Sequence, residues 1–226
     1  GVAPSAGIGG EALTTLSGQL PFTNPVSPAI NTYLSRLQAQ CTIGGTLLLC
    51  DRLWQNSGIT ITSNTEQTFT AAVDIPARDS NGLATGTGVL AGVEVSTVTG
   101  AGTPTMSLKY TNQSGTTGQV GTSIITGVAA SIAGSFYPIG LANGDTGIRK
   151  PESLTLSATW TSGTIHVVLY RVLARLELQA QTGNAIDALT GGLPQLYNNT
   201  VPFLIFRPNT TTTSTLSGHC IYSQGA

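Results

Sequence analysis

The stretch GDTGIRKPESLTLSATW, residues 144–160, decides the fold class because it joins a turn to a strand with strict alternation. In its second half, apolar residues alternate with Ser and Thr; the apolar positions are Leu154, Leu156, Ala158 and Trp160. Successive side chains of a β-strand point to opposite faces of a sheet. The pattern therefore predicts a β-strand with one apolar, buried face.

The composition of the whole chain supports the same fold class. The 226 residues include 28 glycines and 11 prolines, and only 8% of them are charged. Residues typical of helix surfaces are scarce, whereas β-branched and turn-forming residues are abundant. This balance predicts an all-β fold, an antiparallel β-sandwich or jelly roll of about 8–10 strands.

The N-terminal segment, residues 1–28, is predicted to be an extended arm. It contains four prolines and a single charged residue, Glu11. Because proline lacks a backbone donor and interrupts helices, the segment does not favour a helix of its own. We expect it to lie on another surface or to form a mobile tail.

One short helix is predicted near residues 28–40, in the stretch SPAINTYLSRLQAQ. Ser27 is placed to cap this helix and Pro28 to occupy its first position, and apolar residues follow at spacings of three and four. The predicted organisation is an N-terminal arm and short helix over residues 1–45. A β-sandwich domain follows over residues 46–226.

The stretch VLAGVEVSTVTGAGTPTMSLKYT, residues 89–111, predicts a pair of strands joined by a Gly-rich turn near residues 100–103. If that turn is the centre of the pair, Glu94 lies opposite Lys109 on the outer face. A cross-strand ion pair of this kind contributes little stability but helps to set the register.

Charge and composition disfavour several classes of partner and cofactor. The 9 basic and 10 acidic residues give a formal net charge of -1, so the chain lacks the basic patch that binds nucleic acid. No apolar run approaches the length of a membrane helix. Cys41, Cys50 and Cys220 lack the spacing of a zinc site or a disulfide framework and fit a reducing compartment. We therefore predict no nucleic-acid contact, no membrane partner, no metal and no cofactor.

Residues suited to proton transfer are also few, since His166 and His219 are the only histidines. His166 lies on a strand face that is otherwise apolar, which favours a hydrogen-bonded core or interface histidine over a catalytic one. The motifs of hydrolase nucleophiles, zinc proteases and phosphate-binding loops are missing from the sequence. The chain is therefore predicted not to be an enzyme.

Six charged residues are candidates for contact with a partner; they are Asp145, Arg149, Lys150, Glu152, Arg171 and Arg175. The first four are concentrated just before the alternating strand, in a chain that is otherwise poor in charge. In one interpretation, Asp145 accepts backbone hydrogen bonds in a turn and the other three keep a loop solvated. In the other, Arg149 and Lys150 contact an anion or a partner protein.

The remaining two candidates belong to a second segment, residues 164–178. This segment is apolar on both faces at first and then places Arg171 and Arg175 on one face. Such a pattern is typical of a central strand that emerges at a sheet edge or an interface.

Three stretches together resemble small structural proteins encoded in tailed-bacteriophage genomes. They are LLLCDRLWQNSGITI, VEVSTVTGAGTPTMSLKYTNQSGTTGQ and GDTGIRKPESLTLSATWTSGTIHVVLYRVLA. Proteins of this kind show a DRL segment, a YTNQSG-like segment, and a GDTG turn followed by an ESLTL-like strand. The resemblance spans roughly residues 46–222 and rests on structural motifs, not on catalytic ones.

This resemblance implies a virion component, assembled in the host cytoplasm. The expected role is that of an auxiliary capsid protein, a decoration or cement protein that binds the major capsid protein in the assembled shell. A neck, tail or head-fibre component of the virion is one alternative. A carbohydrate-binding or receptor-binding module that uses Trp54, Tyr197 or acidic residues is another. A homo-oligomer is expected in each case, with a trimer preferred.

Overall fold

The computed structural model describes residues 3–70 and 72–225, and these form a nearly all-β chain. The predicted all-β, antiparallel, sandwich-like fold class is confirmed. No helix in the described part of the chain is long and apolar enough to cross a membrane. The strands are β1 (Glu11–Ala12), β2 (Asn31–Cys41), β3 (Gly45–Gln55), β4 (Gln67–Thr68), β5 (Val89–Thr97), β6 (Met106–Asn112), β7 (Gln119–Ser123), β8 (Phe136–Gly140), β9 (Ile148–Leu156), β10 (Thr164–Leu178), β11 (Asn184–Asp187), β12 (Gln195–Leu196), β13 (Pro202–Pro208) and β14 (Leu216–Gly225), and one short helix is α1 (Ala188–Gly191).

The chain divides into two compact units, each built from separate stretches of sequence. The first unit comprises Gly1–Leu13 and Arg52–Arg171, and the second comprises Thr14–Asp51 and Val172–Ala226. Strands β3 and β10 therefore contribute residues to both units. The domain boundary predicted after residue 45 falls inside the second unit, at the beginning of β3.

In the first unit, a curled sheet has the strand order β1-β3-β10-β5-β8-β7-β6-β9-β4. Its core contains the inward-facing residues of the alternating strand, and Leu154, Leu156 and Trp160 are buried as predicted. Strand β9 ends at Leu156, however, and Ala158 is exposed in the loop that follows. Trp160 reaches the core from that loop and donates its indole N–H to the carbonyl oxygen of Val128 at 3.1 Å.

The hairpin predicted for residues 89–111 is wrong, because β5 pairs with β10 and β8, whereas β6 pairs with β7 and β9. Glu94 lies opposite His166 instead of Lys109. The Gly-rich stretch between the two strands packs against the loop after β9, and a side chain at Gly102 would clash with the carbonyl oxygen of Thr159. The glycines there permit a close approach of two backbones, not a tight turn.

In the second unit, β2 pairs with β14 along one edge and with β11 and β12 along the other. A second layer contains β13 and the adjacent part of β3. Leucines from β2, β3 and β10 pack together as the core of this unit, among them Leu34, Leu37, Leu49 and Leu176. The arrangement is that of a two-layer sandwich.

The helix predicted near residues 28–40 is wrong, because residues 31–41 form the strand β2. A β-bulge explains the misleading spacing: Leu34 pairs with Tyr222 and Arg36 with Ile221, so Ser35 is an extra residue. Inward-facing residues alternate on each side of the bulge, but Leu34 and Leu37 are separated by three positions. A bulge in an alternating strand thus imitates one turn of an amphipathic helix.

Most of the N-terminal segment lacks regular structure, as its prolines predict, but it packs on its own chain. In the first unit, β1 pairs with the end of β3, and the backbone N–H of Leu13 donates to Leu53 at 2.9 Å. In the second unit, the N–H of Leu20 donates to Pro202 at 3.0 Å, and Phe22 packs edge-on against Tyr222. Residues 3–28 therefore do not form a free arm, and the first two residues of the predicted arm lie outside the described residues.

Candidate protein-interaction site

The turn at the start of the charged segment spans residues 142–145. The N–H of Asp145 donates to the carbonyl oxygen of Ala142 at 3.1 Å, and Gly144 adopts a φ of 88°. The carboxylate of Asp145 accepts hydrogen bonds from the Tyr110 hydroxyl at 2.7 Å and the Asn112 amide at 2.6 Å, not from backbone groups. Burial raises the pKa of Tyr110, and the hydrogen bond to Asp145 adds to the rise, bringing it to about 12. Asp145 therefore fastens the turn to β6.

The other three charged residues of this segment lie within β9, not in a loop. Glu152 accepts hydrogen bonds from the Thr111 hydroxyl at 2.8 Å and from the backbone N–H of Gly118 at 3.2 Å. Lys150 forms an exposed ion pair with Asp74 at 3.4 Å. Arg149 is also exposed. Glu152 thus links β9 to β6 and to Gly118, the residue before β7. Arg149 and Lys150 present their charges at the surface.

The two arginines of β10 have different environments. Arg171 is buried and lies opposite Val89 in the sheet. Arg175 is exposed and donates from Nε to Glu177 at 2.8 Å, and Glu177 also accepts from the Thr46 hydroxyl. Ion pairs at such exposed positions contribute little to stability. The six predicted interaction residues therefore do not form one site.

A buried charged cluster that the sequence did not predict joins three strands of the first unit. Arg52 Nη1 donates to Glu94 Oε2 at 2.6 Å, and His166 Nε2 lies 3.0 Å from the same oxygen and 2.9 Å from Arg52 Nη2. All three residues are buried. Of the two predicted environments for a hydrogen-bonded His166, core or interface, the structure shows the core.

The protonation states in this cluster follow from burial and pairing. Burial by itself raises the pKa of Glu94, but the hydrogen bond from His166 and the charge of Arg52 outweigh it and bring the pKa to about 2. Burial lowers the pKa of His166, and the Arg52 charge acts in the same direction against the opposing effect of Glu94. At neutral pH the cluster is therefore an Arg–Glu ion pair hydrogen-bonded to a neutral imidazole.

We expect the free energy of unfolding to fall as the pH falls from 7 to 5. The unfolded chain takes up a proton at His166 near its ordinary pKa of about 6.5, whereas the folded chain binds it only at lower pH. The unfolded state then holds more protons, so stability rises with pH, by at most about 1.4 kcal/mol per pH unit for this one group. Glu94 adds a second loss of stability below its unfolded pKa of about 4.3. Denaturant titrations at pH 7, 6 and 5 measure the slope, and an equal slope in the His166→Gln variant would contradict the assignment.

An exposed apolar surface lies in the same unit, in a stretch that carries no charge. Residues 110–144 contain no Asp, Glu, Lys, Arg or His. The apolar surface consists of β7 and the loop after it, and its exposed side chains are Val120, Ile124, Ile125, Val128 and Ile132. Single exposed apolar residues are common, whereas several of them on one short segment make it a candidate contact surface.

The loop that carries this surface is held by hydrogen bonds. The Ser131 hydroxyl donates to the carbonyl oxygen of Val128 at 2.8 Å, and the N–H of Val128 donates to the Tyr137 hydroxyl at 3.2 Å. On the other side, the N–H of Thr99 donates to Ser131 at 3.1 Å. The exposed side chains therefore stand on an ordered support, so their burial by a partner requires little ordering of the backbone.

Groups of acidic, histidine or cysteine side chains that could hold a metal ion do not occur among the described residues. Comparisons with protein-family models, with curated proteins and with solved structures find no match. A functional assignment therefore depends on the residues of this chain and on their arrangement.

Proposed function

We propose that this chain is a non-enzymatic structural protein of a tailed-bacteriophage virion, a decoration or cement protein that binds the assembled capsid shell. The resemblance of its DRL, YTNQSG and GDTG segments to such proteins suggests the virion. The observation that carries the proposal is the exposed apolar surface on residues 120–132, which fits contact with another protein.

The physical chemistry of this surface suits a lasting contact between proteins. Burial of apolar area contributes about 25 cal/mol per Å² before the costs of association are subtracted. The stretch that carries the surface has no charged residue of its own, and Lys109, which lies opposite Val120 in the sheet, is a charged neighbour. Partner surfaces of matching apolar character, on the major capsid protein or another virion protein, would cover it. The chain has a net charge of -1, which does not favour binding to a polyanion. Direct binding to nucleic acid is therefore not part of the proposal.

The mechanism follows from mass action. A protein that binds the assembled lattice, but not the free capsid subunit, shifts the equilibrium towards the shell. Because residues 3–28 pack on their own chain, we assign this contact to the β-rich units and not to an N-terminal arm that crosses between neighbours.

The copy number in purified particles tests the proposal directly. Quantitative mass spectrometry would compare this chain with the major capsid protein in the same particles. A ratio near one, or a simple fraction such as one third, supports a lattice-wide decoration protein. A few dozen copies would place the chain in the neck, tail or head fibre, and its absence from the particle would overturn the proposal.

The carbohydrate-binding alternative is weakened by the position of its expected platform. Trp54 is fully buried in the core of the first unit and packs against Phe69. A sugar ring therefore cannot stack on it in the folded chain. Trp160 is also buried, so neither tryptophan offers a binding face.

Replacing Ile124 by Lys is expected to weaken binding to shells that lack this protein by about 10- to 100-fold. Ile124 is 70% exposed, so Lys is accommodated in the free chain, whereas the contact loses about 1.5–3 kcal/mol of apolar burial. Co-sedimentation with shells measures the binding. Val26→Lys is the matched control, since Val26 is 97% exposed and lies in the other unit. Unchanged binding by Ile124→Lys would exclude this surface from the contact.

A further inference from the structure

Strand β14 is an unprotected edge of the second unit. It pairs with β2 on one side, and the described residues provide no strand on its other side. In an antiparallel pair, alternate peptide groups point away from the partner strand. A row of backbone N–H and C=O groups therefore remains open along its ten residues, LSGHCIYSQG.

Natural proteins usually protect such an edge with charges, prolines or a very short strand. Strand β13 shows this protection, since it begins at Pro202, ends at Pro208 and carries Arg207. Strand β14 contains no proline and no Asp, Glu, Lys or Arg. Its one irregularity is the bulge opposite Ser35, and the strand continues past it in both directions.

An apolar cavity of about 610 Å³ lies in the same unit, and β14 supplies much of its wall. Leu216, Cys220 and Tyr222 line it from β14, and Leu204 lines it from β13, the other edge strand. Gly218 and Ala39 lie opposite each other on its wall and supply little side-chain volume, and the close approach of Gly218 to the backbone of Gln38 leaves no room for a larger residue there. The two layers are therefore incompletely filled beside the open edge.

We propose that β14 pairs with β14 of a second copy of this chain, antiparallel and about a two-fold axis normal to the sheet. An uncharged strand meets its own copy without repulsion, and an antiparallel pair of identical strands is self-complementary. A rotation about this axis keeps each strand's inward face inward. The copy's Leu216, Cys220 and Tyr222 then extend the apolar layer and cover the mouth of the cavity.

The oligomeric state and one charged substitution test this pairing in the full-length protein. Sedimentation equilibrium of the wild-type chain is expected to give a dimer. Ile221, 45% exposed on the outward face of β14, is replaced by Lys, which gives each of the two paired edges a positive charge. We expect this variant to dissociate at least tenfold more readily, whereas Leu189→Lys, at a 95% exposed position of α1, leaves the dimer intact.

Cysteine cross-linking provides a second measurement that does not depend on weakening the strand. Single cysteines are introduced at the outward-facing positions Ser217, His219, Ile221 and Ser223, and the inward-facing positions are covered by the native Cys220 and by Tyr222→Cys. The residue nearest the two-fold axis faces its own copy at a distance that a disulfide can span. We expect an intermolecular disulfide at one of these positions and much less at the others, with the wild-type chain and its native cysteines as the background.

Three results would each overturn the pairing. They are a monomer at high concentration, a trimer, and a dimer that survives Ile221→Lys and forms no cross-link. A closed trimer is incompatible with it, since two edges related by a two-fold axis satisfy each other. The pairing does not rest on the virion role. Loss of the dimer in Ile221→Lys and loss of shell binding in Ile124→Lys are separate results, so either proposal can fail alone.

Discussion

Replacing Arg52 by Met is expected to lower the free energy of unfolding by about 3–5 kcal/mol, because it leaves a buried carboxylate without its cation. Glu94 then loses the ion pair at 2.6 Å and retains its contact with His166, and its charge remains inside the first unit. The folded chain can respond by protonating Glu94, which makes stability depend strongly on pH between 4 and 7. Denaturant titration followed by tryptophan fluorescence measures the loss, since Trp54 and Trp160 both lie in this unit's core.

The matched control is Arg175→Met, which removes an arginine from an exposed ion pair with Glu177. We expect little change there, because water screens both charges. The double variant Arg52→Met/Glu94→Gln is expected to recover part of the lost free energy of unfolding, since it also removes the negative charge of Glu94. If Arg52→Met lost less than about 1 kcal/mol, the ion pair would not be a significant contributor to this unit's stability.

Replacing Asp79 by Ala is expected to lower the free energy of unfolding by about 3 kcal/mol. The residue is buried, and its carboxylate accepts five hydrogen bonds from the loop that follows. Their donors are the backbone N–H groups of Asn81, Leu83, Thr85 and Gly86 and the hydroxyl of Thr85. Hydrogen bonds to a charged group contribute about 1.5–3 kcal/mol each, and donors left unpaired in a buried loop add a penalty. Burial opposes ionisation of Asp79, but these bonds together lower its pKa.

Asp187→Ala provides the comparison for this second substitution. Asp187 caps α1 by accepting from the N–H and hydroxyl of Thr190, but it does so at the surface, where water replaces the lost acceptor. Asp79→Asn is expected to fall between the two, because its amide nitrogen presents a donor to other donors. Equal unfolding curves for Asp79→Ala and Asp187→Ala would contradict the role assigned to the Asp79 loop.

Local patterns in the sequence were sufficient for some features of the fold. The alternation around Leu154 and Leu156 predicted a strand with one buried face, and the apolar neighbours of His166 predicted a buried histidine. Both depend on the two-residue period of a strand, which the sequence displays directly. The helix near residues 28–40 failed because the bulge at Ser35 changes that period by one residue.

Features that depend on strand order could not be predicted from the sequence. Glu94 faces His166 and Arg52 because β5, β10 and β3 are neighbours in the sheet, and no local signal encodes that order. The missing charges of residues 110–144 are visible in the sequence. The exposure of Ile124 and Ile132 is not, since weak alternation there leaves the direction of each side chain undetermined.

The interleaved order of the two units has a consequence for synthesis on the ribosome. Strand β2 emerges early, but β11, β12 and β14, which pair with it, are encoded after residue 183. Nearly the whole first unit is translated in between. Domains fold as the chain emerges from the ribosome. Strand β2 therefore has none of its partner strands available while the residues of the first unit are synthesised and fold. Chains whose synthesis stops before β14 should therefore be prone to aggregate, and slow translation of residues 184–225 should lower the yield of folded protein.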